Sequence, residues 1–476
     1  MPQYRANAIC PEGTLRFSCR DSETPLQPLK FPLAPNMEKN LDNMNDDIWE
    51  KVREQYDFIP YPEKPIETPI GEDDNLLFVH NLATIYYSAK RQAIDSREKV
   101  ILDAGCGTGW TSLILAAANP GARVVGVDLS PKSVALAAER LQYHGFDNAE
   151  FHPLAIEDLA KLRIEFDYIN CDQVLSFLPD PALGLEAMKS VLKPEGIIRA
   201  NLHSSLQRAA LYRAQAALKI LGLMEGNPEA LEIGIALEIM ENLKAEVDLK
   251  VRTWQQADDK SEELKKSFII RDFLLQGDRG YTIPEMFAAI RQAGLEFLGM
   301  VNEQQWRFLD LFEDSDDPLA FLAFTLPEMP EEERLHLFEL FHPIHRLLDF
   351  WCDRSGARGA NISLADCSLA DWQKFRFRLH PLLSIPEVKE KLLASLQQQQ
   401  SLDLGSYLSA TGEFSFPLQG LEIRSLLALQ DGSQSLESLA ELWIEEYPNA
   451  NAEIAIAELQ EFLARLESVA FVLLEN

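Results

Sequence analysis

The 476-residue chain has few cysteines, and its basic residues are far outnumbered by acidic ones. The six cysteines, at positions 10, 19, 106, 171, 352 and 367, form no CxxC pair and lack the close spacing of a secreted disulfide framework. Lys and Arg number 44 against 75 Asp and Glu, which gives a formal net charge of −31. No dense basic cluster appears, so we expect no nucleic-acid partner and no anionic membrane surface.

Long apolar stretches are also lacking. The first residues, MPQYRANAICPEG, contain no apolar targeting core, and no stretch reaches the roughly 18 to 20 apolar residues that cross a bilayer. Unpaired cysteines are typical of a reducing compartment. We therefore predict a soluble, cytoplasmic protein.

The length predicts several domains, because single hydrophobic cores stop growing at roughly 250 to 300 residues. Changes in composition and periodicity divide the chain into a mobile tail (1–45), an N-terminal helical cover (46–98), a main domain (99–326), a helical region (327–400) and a winged-helix-like domain (401–476). From position 401 onward the chain has two basic residues, Arg424 and Arg465, and thirteen carboxylates. Such a negative domain would repel DNA, so we expect it to contact a protein or to self-associate.

Strands alternate with helices of ten or more residues between positions 99 and 200, which predicts a parallel, doubly wound sheet. Residues 204 to about 275 show helical patterns, and strand patterns return near 295–302 and 318–326. The prediction is an α/β fold: a Rossmann-like, mostly parallel seven-stranded sheet with a helical lid insertion. Its ligand should lie at the carboxyl ends of the strands.

A glycine loop, VILDAGCGTGW at 100–110, joins the first strand to a helix. A phosphate-binding P-loop requires GxxxxGK[ST], which is absent here. A dinucleotide loop requires GxGxxG, and Trp110 occupies its last glycine position. The pattern favours a nucleoside ligand without a pyrophosphate.

A carboxylate, Asp128, ends the second strand about twenty residues after the glycines. In this position it can accept hydrogen bonds from both ribose hydroxyls. This position alone does not separate NAD from another ribose-bearing ligand.

The stretch ILDAGCGTG resembles the first motif of class I S-adenosylmethionine-dependent methyltransferases. The resemblance implies that Asp103 organises the methionine ammonium group and that AIEDL, at 155–159, borders the adenine, with Ala155 where many members have an aspartate. Ile156 would then pack on the ring, and Glu157 or a backbone oxygen would take the amino hydrogen. The implied cofactor-binding residues are Asp103, Gly105, Cys106, Gly107, Gly109, Asp128, Leu129, Ile156, Glu157 and Cys171.

A closer resemblance covers residues 55 to about 200 through QYDFIPYPEKPIETP, the glycine motif, AIEDL and FDYI. These pieces resemble bacterial methyltransferases that carry an accessory methyltransferase regulatory domain. That group usually continues its fourth strand with a His-Gly-Val-Tyr-Ser-Trp-like run, whereas this chain has DQVLSF at 172–177. The methyl acceptor of those bacterial enzymes is therefore not assigned to this chain.

Methyl transfer from a sulfonium needs neither a metal nor a covalent nucleophile, and an N or O acceptor must lose one proton. Asp172 and His203, after the fourth and fifth strands, are the candidate bases. Tyr56 and Tyr61 form either an aromatic lid over the cofactor or part of a packed surface. We interpret His342 and His345 as the start of a helix packed on a core, and predict no metal.

The sequence thus predicts an S-adenosylmethionine-dependent methyltransferase that modifies an N or O atom. The large acidic and helical part outside the sheet favours a protein or peptide acceptor. Two alternatives stay open: a small-molecule O- or N-methyltransferase, and a non-catalytic regulatory protein that binds S-adenosylmethionine.

Overall fold

The computed structural model describes residues 51, 53–55, 57, 60–70, 74–257, 259–313, 320–355, 364, 367–405, 415–446 and 452–475. The tail predicted for 1–45 lies outside them. Within the described residues no helix combines the length and hydropathy needed to cross a membrane.

The main sheet is built from strands β1 (Val100–Ala104), β2 (Arg123–Asp128), β3 (Ala149–Pro153), β4 (Phe166–Cys171), β5 (Leu192–Ser204), β6 (Gly280–Tyr281), β7 (Glu296–Met300) and β8 (Leu347–Asp353). Seven of them follow the order β3-β2-β1-β4-β5-β8-β7, and the short β6 pairs with the end of β5. Strands β1 to β5 are parallel, whereas β8 runs antiparallel to both its neighbours. This arrangement confirms the predicted Rossmann-like sheet.

Helices cover both faces of the sheet, as the crossovers between parallel strands require. They include α1 (Asp74–His80), α2 (Leu82–Lys90), α3 (Trp110–Ala118), α4 (Pro131–Tyr143), α5 (Pro181–Ser190), α6 (Ala209–Ile220), α7 (Ala230–Asn242), α8 (Asp248–Thr253), α9 (Glu262–Phe268) and α10 (Ile283–Gln292). Later in the chain follow α11 (Ala320–Thr325), α12 (Glu331–Phe341), α13 (Leu369–Trp372), α14 (Pro386–Gln398), α15 (Gly420–Gln430), α16 (Leu436–Glu446) and α17 (Ala452–Ser468).

An insertion between β5 and β6 contains α6 to α9 and a π-helical turn, Ile269–Phe273. It has a core of its own around the fully buried Trp254. The Trp254 ring stacks on Phe268 at a centroid distance of 5.9 Å and meets Phe273 edge-on at 5.6 Å. The insertion is therefore a packed unit that leaves the sheet at the carboxyl end of β5.

The C-terminal part of the chain forms a second sheet from β9 (Arg376–Leu379), β12 (Gln434–Ser435) and β13 (Val472–Glu475), in the order β12-β9-β13. A separate two-stranded pair joins β10 (Leu402–Asp403) to β11 (Pro417–Leu418). Helices α14 to α17 pack around these strands on one apolar core.

The seventh strand was predicted at the wrong place. Residues 320–325 belong to helix α11, with Phe321 and Phe324 exposed, and β8 supplies the missing strand. The run LLDFWCD is buried along most of its length because β8 lies between β5 and β7, and such a continuous apolar run does not distinguish helix from strand.

Two domain boundaries change as a consequence. The main sheet continues to Asp353, so the limit at 326 is wrong, and β9, predicted within the helical region, pairs with β13 across the proposed limit at 400. His342 and His345 follow the end of α12 and do not start a helix. The ring of His345 instead stacks on Trp306, with centroids 4.3 Å apart.

Helix α2 lies between the main sheet and the C-terminal core. On one side the Tyr86 hydroxyl donates to the Asp167 carbonyl at 2.7 Å, and Lys90 pairs with the buried Asp353 at 2.7 Å. On the other, the fully buried Tyr87 donates to Glu467 Oε1 at 2.7 Å. Since β4 begins beside Asp167 and the reversed β8 ends at Asp353, the C-terminal core is attached near the amino edge of the parallel strands.

Replacing Tyr87 with Phe should weaken this attachment. The change removes the donor to Glu467 and leaves the Leu474 amide, now bonded to the Tyr87 hydroxyl at 3.3 Å, without that acceptor. We expect the free energy of unfolding to fall by about 1 to 3 kcal/mol, measured by urea titration. Tyr143→Phe, at a 60 % exposed tyrosine, is the control and should be nearly neutral.

Candidate functional site

A cavity of roughly 200 Å³ opens at the carboxyl edge of the main sheet. Its walls come from three parts of the chain: the strand ends and the loops after them, described residues of the segment 53–63, and the π-helical turn of the insertion. The described residues of the C-terminal core contribute nothing to its lining. The cavity lies where the doubly wound sheet predicts a ligand.

The glycine loop forms the floor of the cavity. The amides of Gly105 and Cys106 both donate to the Val127 carbonyl, at 2.8 and 2.9 Å, which turns the loop tightly over the end of β2. At Gly107 the backbone has φ +50°, and a Cβ there would collide with the Tyr61 carbonyl. Only a glycine therefore fits here, where the backbone at Tyr61 passes directly over the loop.

Asp128 faces the cavity from the end of β2. Its Oδ2 accepts from the Gly107 amide and its Oδ1 from the Ser130 amide, each at 2.9 Å. Burial raises the pKa of this carboxyl group, while the two amides act in the opposite direction. Each oxygen keeps a second lone pair, as an acceptor of two vicinal hydroxyls requires.

Most of the predicted cofactor residues line the cavity: Gly105, Cys106, Gly107, Asp128, Leu129, Ile156 and Glu157. Asp103, Gly109 and Cys171 do not. Asp103 is 1 % exposed and accepts from Ser112 Oγ at 2.6 Å and from Asn170 Nδ2 at 3.0 Å. Burial raises the pKa of Asp103 to about 6. Through Ser112 and Asn170 this carboxyl group ties β1 to α3 and β4. Its expected role toward the methionine ammonium group, directly or through water, stays a prediction.

The other two residues outside the lining also have packing environments. Gly109 starts α3 at φ +80°, where a Cβ would strike Ala137 of α4, so it permits two helices to approach. Cys171 is fully buried at the end of β4. Burial also raises the pKa of Cys106, which keeps its thiol protonated.

Both candidate bases border the cavity. Asp172 accepts a hydrogen bond from Asn201 Nδ2 at 2.6 Å. His203 is 2 % exposed, and its Nδ1 lies 2.6 Å from Asp278 Oδ1. Its Nε2 is buried and has no hydrogen-bond partner within the described residues. Burial lowers the pKa of His203, although the carboxylate of Asp278 opposes the shift.

Asp278 is held by several donors besides His203. Arg208 Nη2 lies 2.9 Å and Gln215 Nε2 3.0 Å from its Oδ2. Burial alone would raise the pKa of Asp278, but the bonds to His203 and Arg208 lower it to about 2. The carboxylate stays ionised, which fixes the proton of His203 on Nδ1 and leaves Nε2 as an acceptor.

The segment 60–63 passes along the glycine loop. The Thr108 amide donates to the Tyr61 carbonyl at 2.9 Å, and the Thr108 hydroxyl to the Pro62 carbonyl at 2.8 Å. Tyr61 lines the cavity, and the guanidinium of Arg271 lies 6.0 Å from its ring centroid. Tyr56 lies outside the described residues, so the lid interpretation for it stays a prediction.

Sequence reasoning missed Asp278, Arg208, Gln173 and Arg346. Asp278 stands 75 positions after its partner His203, in a loop whose pattern, GDRGY, carries no catalytic signal. Arg346 could have been found by recognising β8 as a strand. Because β8 runs antiparallel to β5, the residue before it lies at the carboxyl edge of the sheet.

The comparisons with known proteins agree with this geometry. Residues 95–266 match a family model described as a methyltransferase domain. The uncharacterized protein syc1184_c of Synechococcus sp. is 29% identical over 316 residues, covering 66% of this chain and 73% of the relative. The ubiquinone biosynthesis O-methyltransferase of Aromatoleum aromaticum is 34% identical over 127 residues, which cover 26% of this chain and about half of that enzyme (53%).

Among solved structures, PKMT2 from Rickettsia typhi in complex with AdoHcy has the same fold. Its TM-score is 0.54 at 15% sequence identity, with 83% of this chain and 76% of that chain covered. The chain described here carries a class I methyltransferase domain. It is an S-adenosylmethionine-dependent methyltransferase, and S-adenosylmethionine is its methyl donor. The accessory regulatory domain of the resembling group stays a prediction.

Asp128→Asn should weaken cofactor binding. An amide can still accept, but it loses the charge and presents a donor to one of its present amide partners. We expect the Kd for S-adenosylhomocysteine to rise about 10- to 100-fold, measured by titration calorimetry. Asp147→Asn, on an exposed loop between α4 and β3, should leave the Kd unchanged. Equal affinities in both variants would contradict the ribose role of Asp128.

Proposed function

We propose that this enzyme methylates a hydroxyl oxygen of a small molecule, with His203 as the general base. His203 lines the cavity with its Nδ1 tied to Asp278. The observation that carries the proposal is its buried Nε2, which has no hydrogen-bond partner within the described residues. A neutral hydroxyl is a poor nucleophile until its proton begins to leave, so a fixed acceptor of that proton has a direct use.

When bound, S-adenosylmethionine supplies a methyl group on a sulfonium that leaves as a neutral thioether. The fit of the site to this cofactor rests on the glycine loop that lines the cavity and on the carboxylate of Asp128, whose two oxygens each keep a free lone pair for a ribose hydroxyl. Leu129 and Ile156 provide the apolar wall that a purine ring requires. We assign Glu157 to the amino edge of the ring, because it borders the same wall.

His203 takes the proton of the acceptor hydroxyl on Nε2 as the new O–CH3 bond forms, while the electron pair of the broken S–CH3 bond stays on sulfur. Asp278 stabilises the imidazolium that results, since its carboxylate already accepts from Nδ1. Arg208 and Gln215 hold Asp278 in place and thereby orient the ring. Asp172 is the second candidate base, but its carboxylate already accepts a hydrogen bond from Asn201.

Two observations favour a small acceptor over a protein. The acceptor end of the cavity is deep, since His203 is only 2 % exposed, and the insertion and the segment 53–63 both border the cavity. The large C-terminal core, which suggested a protein acceptor, is attached near the opposite edge of the sheet through Tyr87 and Glu467. The name of the Aromatoleum relative, an O-methyltransferase, supports oxygen as the accepting atom.

His203→Gln should reduce methyl transfer about 10²- to 10⁴-fold, because the base is lost. The measurement is transfer of labelled methyl from S-adenosylmethionine into the protein, nucleic-acid and small-molecule fractions of a host extract. We expect label in small molecules with the wild type, and Asp278→Asn should also be impaired. Binding of S-adenosylhomocysteine should survive in both variants, which separates loss of catalysis from loss of folding. Label confined to protein, or full activity of His203→Gln, would overturn the proposal.

Around neutral pH, the rate of methyl transfer should fall when the pH is lowered and stay constant when it is raised. Because burial lowers the pKa of His203, Nε2 is free to accept a proton at pH 7, and it is lost as a base when the pH falls through that lowered pKa. We expect an acid limb below about pH 6.5 and a plateau above it. A limb centred well above pH 7 would point to another base. Cofactor binding measured over the same range controls for titration of the cofactor site.

A further inference from the structure

Arg346 directly precedes the reversed strand β8. Its carbonyl accepts from the Ser204 amide at 2.9 Å, which fixes the backbone of Arg346 beside the end of β5. The next pair of the ladder joins Leu347 to His203, so the arginine and the base lie on neighbouring strands at the same edge. Both side chains line the cavity, and Arg346 lies near enough for its charge to lower the pKa of His203.

The guanidinium of Arg346 is positioned by an uncharged group. Its Nη2 donates to Gln173 Oε1, and no carboxylate within the described residues forms an ion pair with it. Gln173 is itself fixed: its backbone has φ +57°, in the left-handed region, and its amide donates to Asn201 Oδ1 at 2.7 Å. A strained non-glycine residue beside a cavity is typical of a functional site.

The neighbouring arginine shows the contrast. Arg208 is 4 % exposed, and its charge is balanced by Asp278 at 2.9 Å and Asp272 at 3.3 Å. Arg346 is exposed, and the amide of Gln173 orients it without neutralising it. Gln173 engages only part of the Arg346 guanidinium. Its other N–H groups lie in one plane and can donate in parallel to the two oxygens of a carboxylate or phosphate.

We propose that the methyl acceptor is a hydroxy compound that carries an oxyanion, a carboxylate or a phosphate, which Arg346 binds while His203 takes the proton of the hydroxyl. The inference rests on the function proposed above. The cavity is also lined by Phe177, whose ring meets His203 edge-on at 6.0 Å, and by Leu178 and Ile270. They favour an apolar body between the oxyanion and the rest of the acceptor.

The charge of the product tests this directly. The small-molecule fraction of host extract, incubated with labelled S-adenosylmethionine and full-length protein, is passed over an anion-exchange resin at pH 8. We expect the label to be retained, because methylation of the hydroxyl leaves the oxyanion intact. Label in the flow-through that disappears with His203→Gln would overturn the anionic acceptor and leave the proposed function standing. No label in any small molecule would overturn both.

Treatment of the retained product with phosphatase separates the two sources of negative charge. Loss of retention identifies a phosphate, and unchanged retention identifies a carboxylate. Either result supports the oxyanion.

Arg346→Gln should require about 10- to 100-fold more extract for half-maximal labelling, with an unchanged Kd for S-adenosylhomocysteine. Arg346→Lys keeps the positive charge but lacks the planar guanidinium. The amount of extract that it needs for half-maximal labelling should lie between those of the wild type and Arg346→Gln. Arg334→Gln, at an exposed arginine of α12 outside the cavity, is the matched control and should behave as wild type. Wild-type dependence on extract in Arg346→Gln, with cofactor binding intact, would overturn the role of Arg346.

Discussion

The pairing of β5 with the reversed strand β8 is the constraint on which the acceptor side of this enzyme depends. Six successive positions of β5, from Ile198 to His203, pair with positions 347–352 of β8. Across the ladder Arg199 and Asp349 form an ion pair of 2.7 Å that is largely buried. The same register places the proposed base, His203, beside the first residues of β8. On its other side β8 pairs with β7, which completes the sheet.

The cofactor-binding side of the cavity is formed by residues that lie close together in sequence, and for that reason it was largely predictable. The glycines after β1 and the carboxylate after β2 belong to short stretches in which strand, turn and helix follow one another closely. Their spacing therefore carries the geometry, and Asp128 and Gly107 lie where the pattern places them. Asp103 is the exception, because the sequence does not reveal that Ser112 and Asn170 occupy its two oxygens.

The acceptor half depends on contacts between residues that are distant in sequence, and it was predicted only in part. His203 was found because it lies at the end of a recognisable strand, but Asp278 stands 75 positions later, on the far side of the insertion. The β8 segment was misassigned because its apolar residues occupy consecutive positions, a pattern that a buried helix shares. The same limitation displaced the domain boundary at 400, where β9 pairs with a strand almost a hundred residues later.

Two described residues before the first strand, Gln55 and Tyr61, contact the insertion and the glycine loop, respectively. At one end Gln55 accepts from the Gln276 amide of the insertion at 3.1 Å, and at the other the Tyr61 carbonyl accepts from Thr108 of the glycine loop. Six residues of chain can span at most about 20 Å. While both contacts hold, Gln276 and the glycine loop cannot lie farther apart than this length of chain reaches. A movement of the insertion beyond that distance would first have to break one of the two hydrogen bonds.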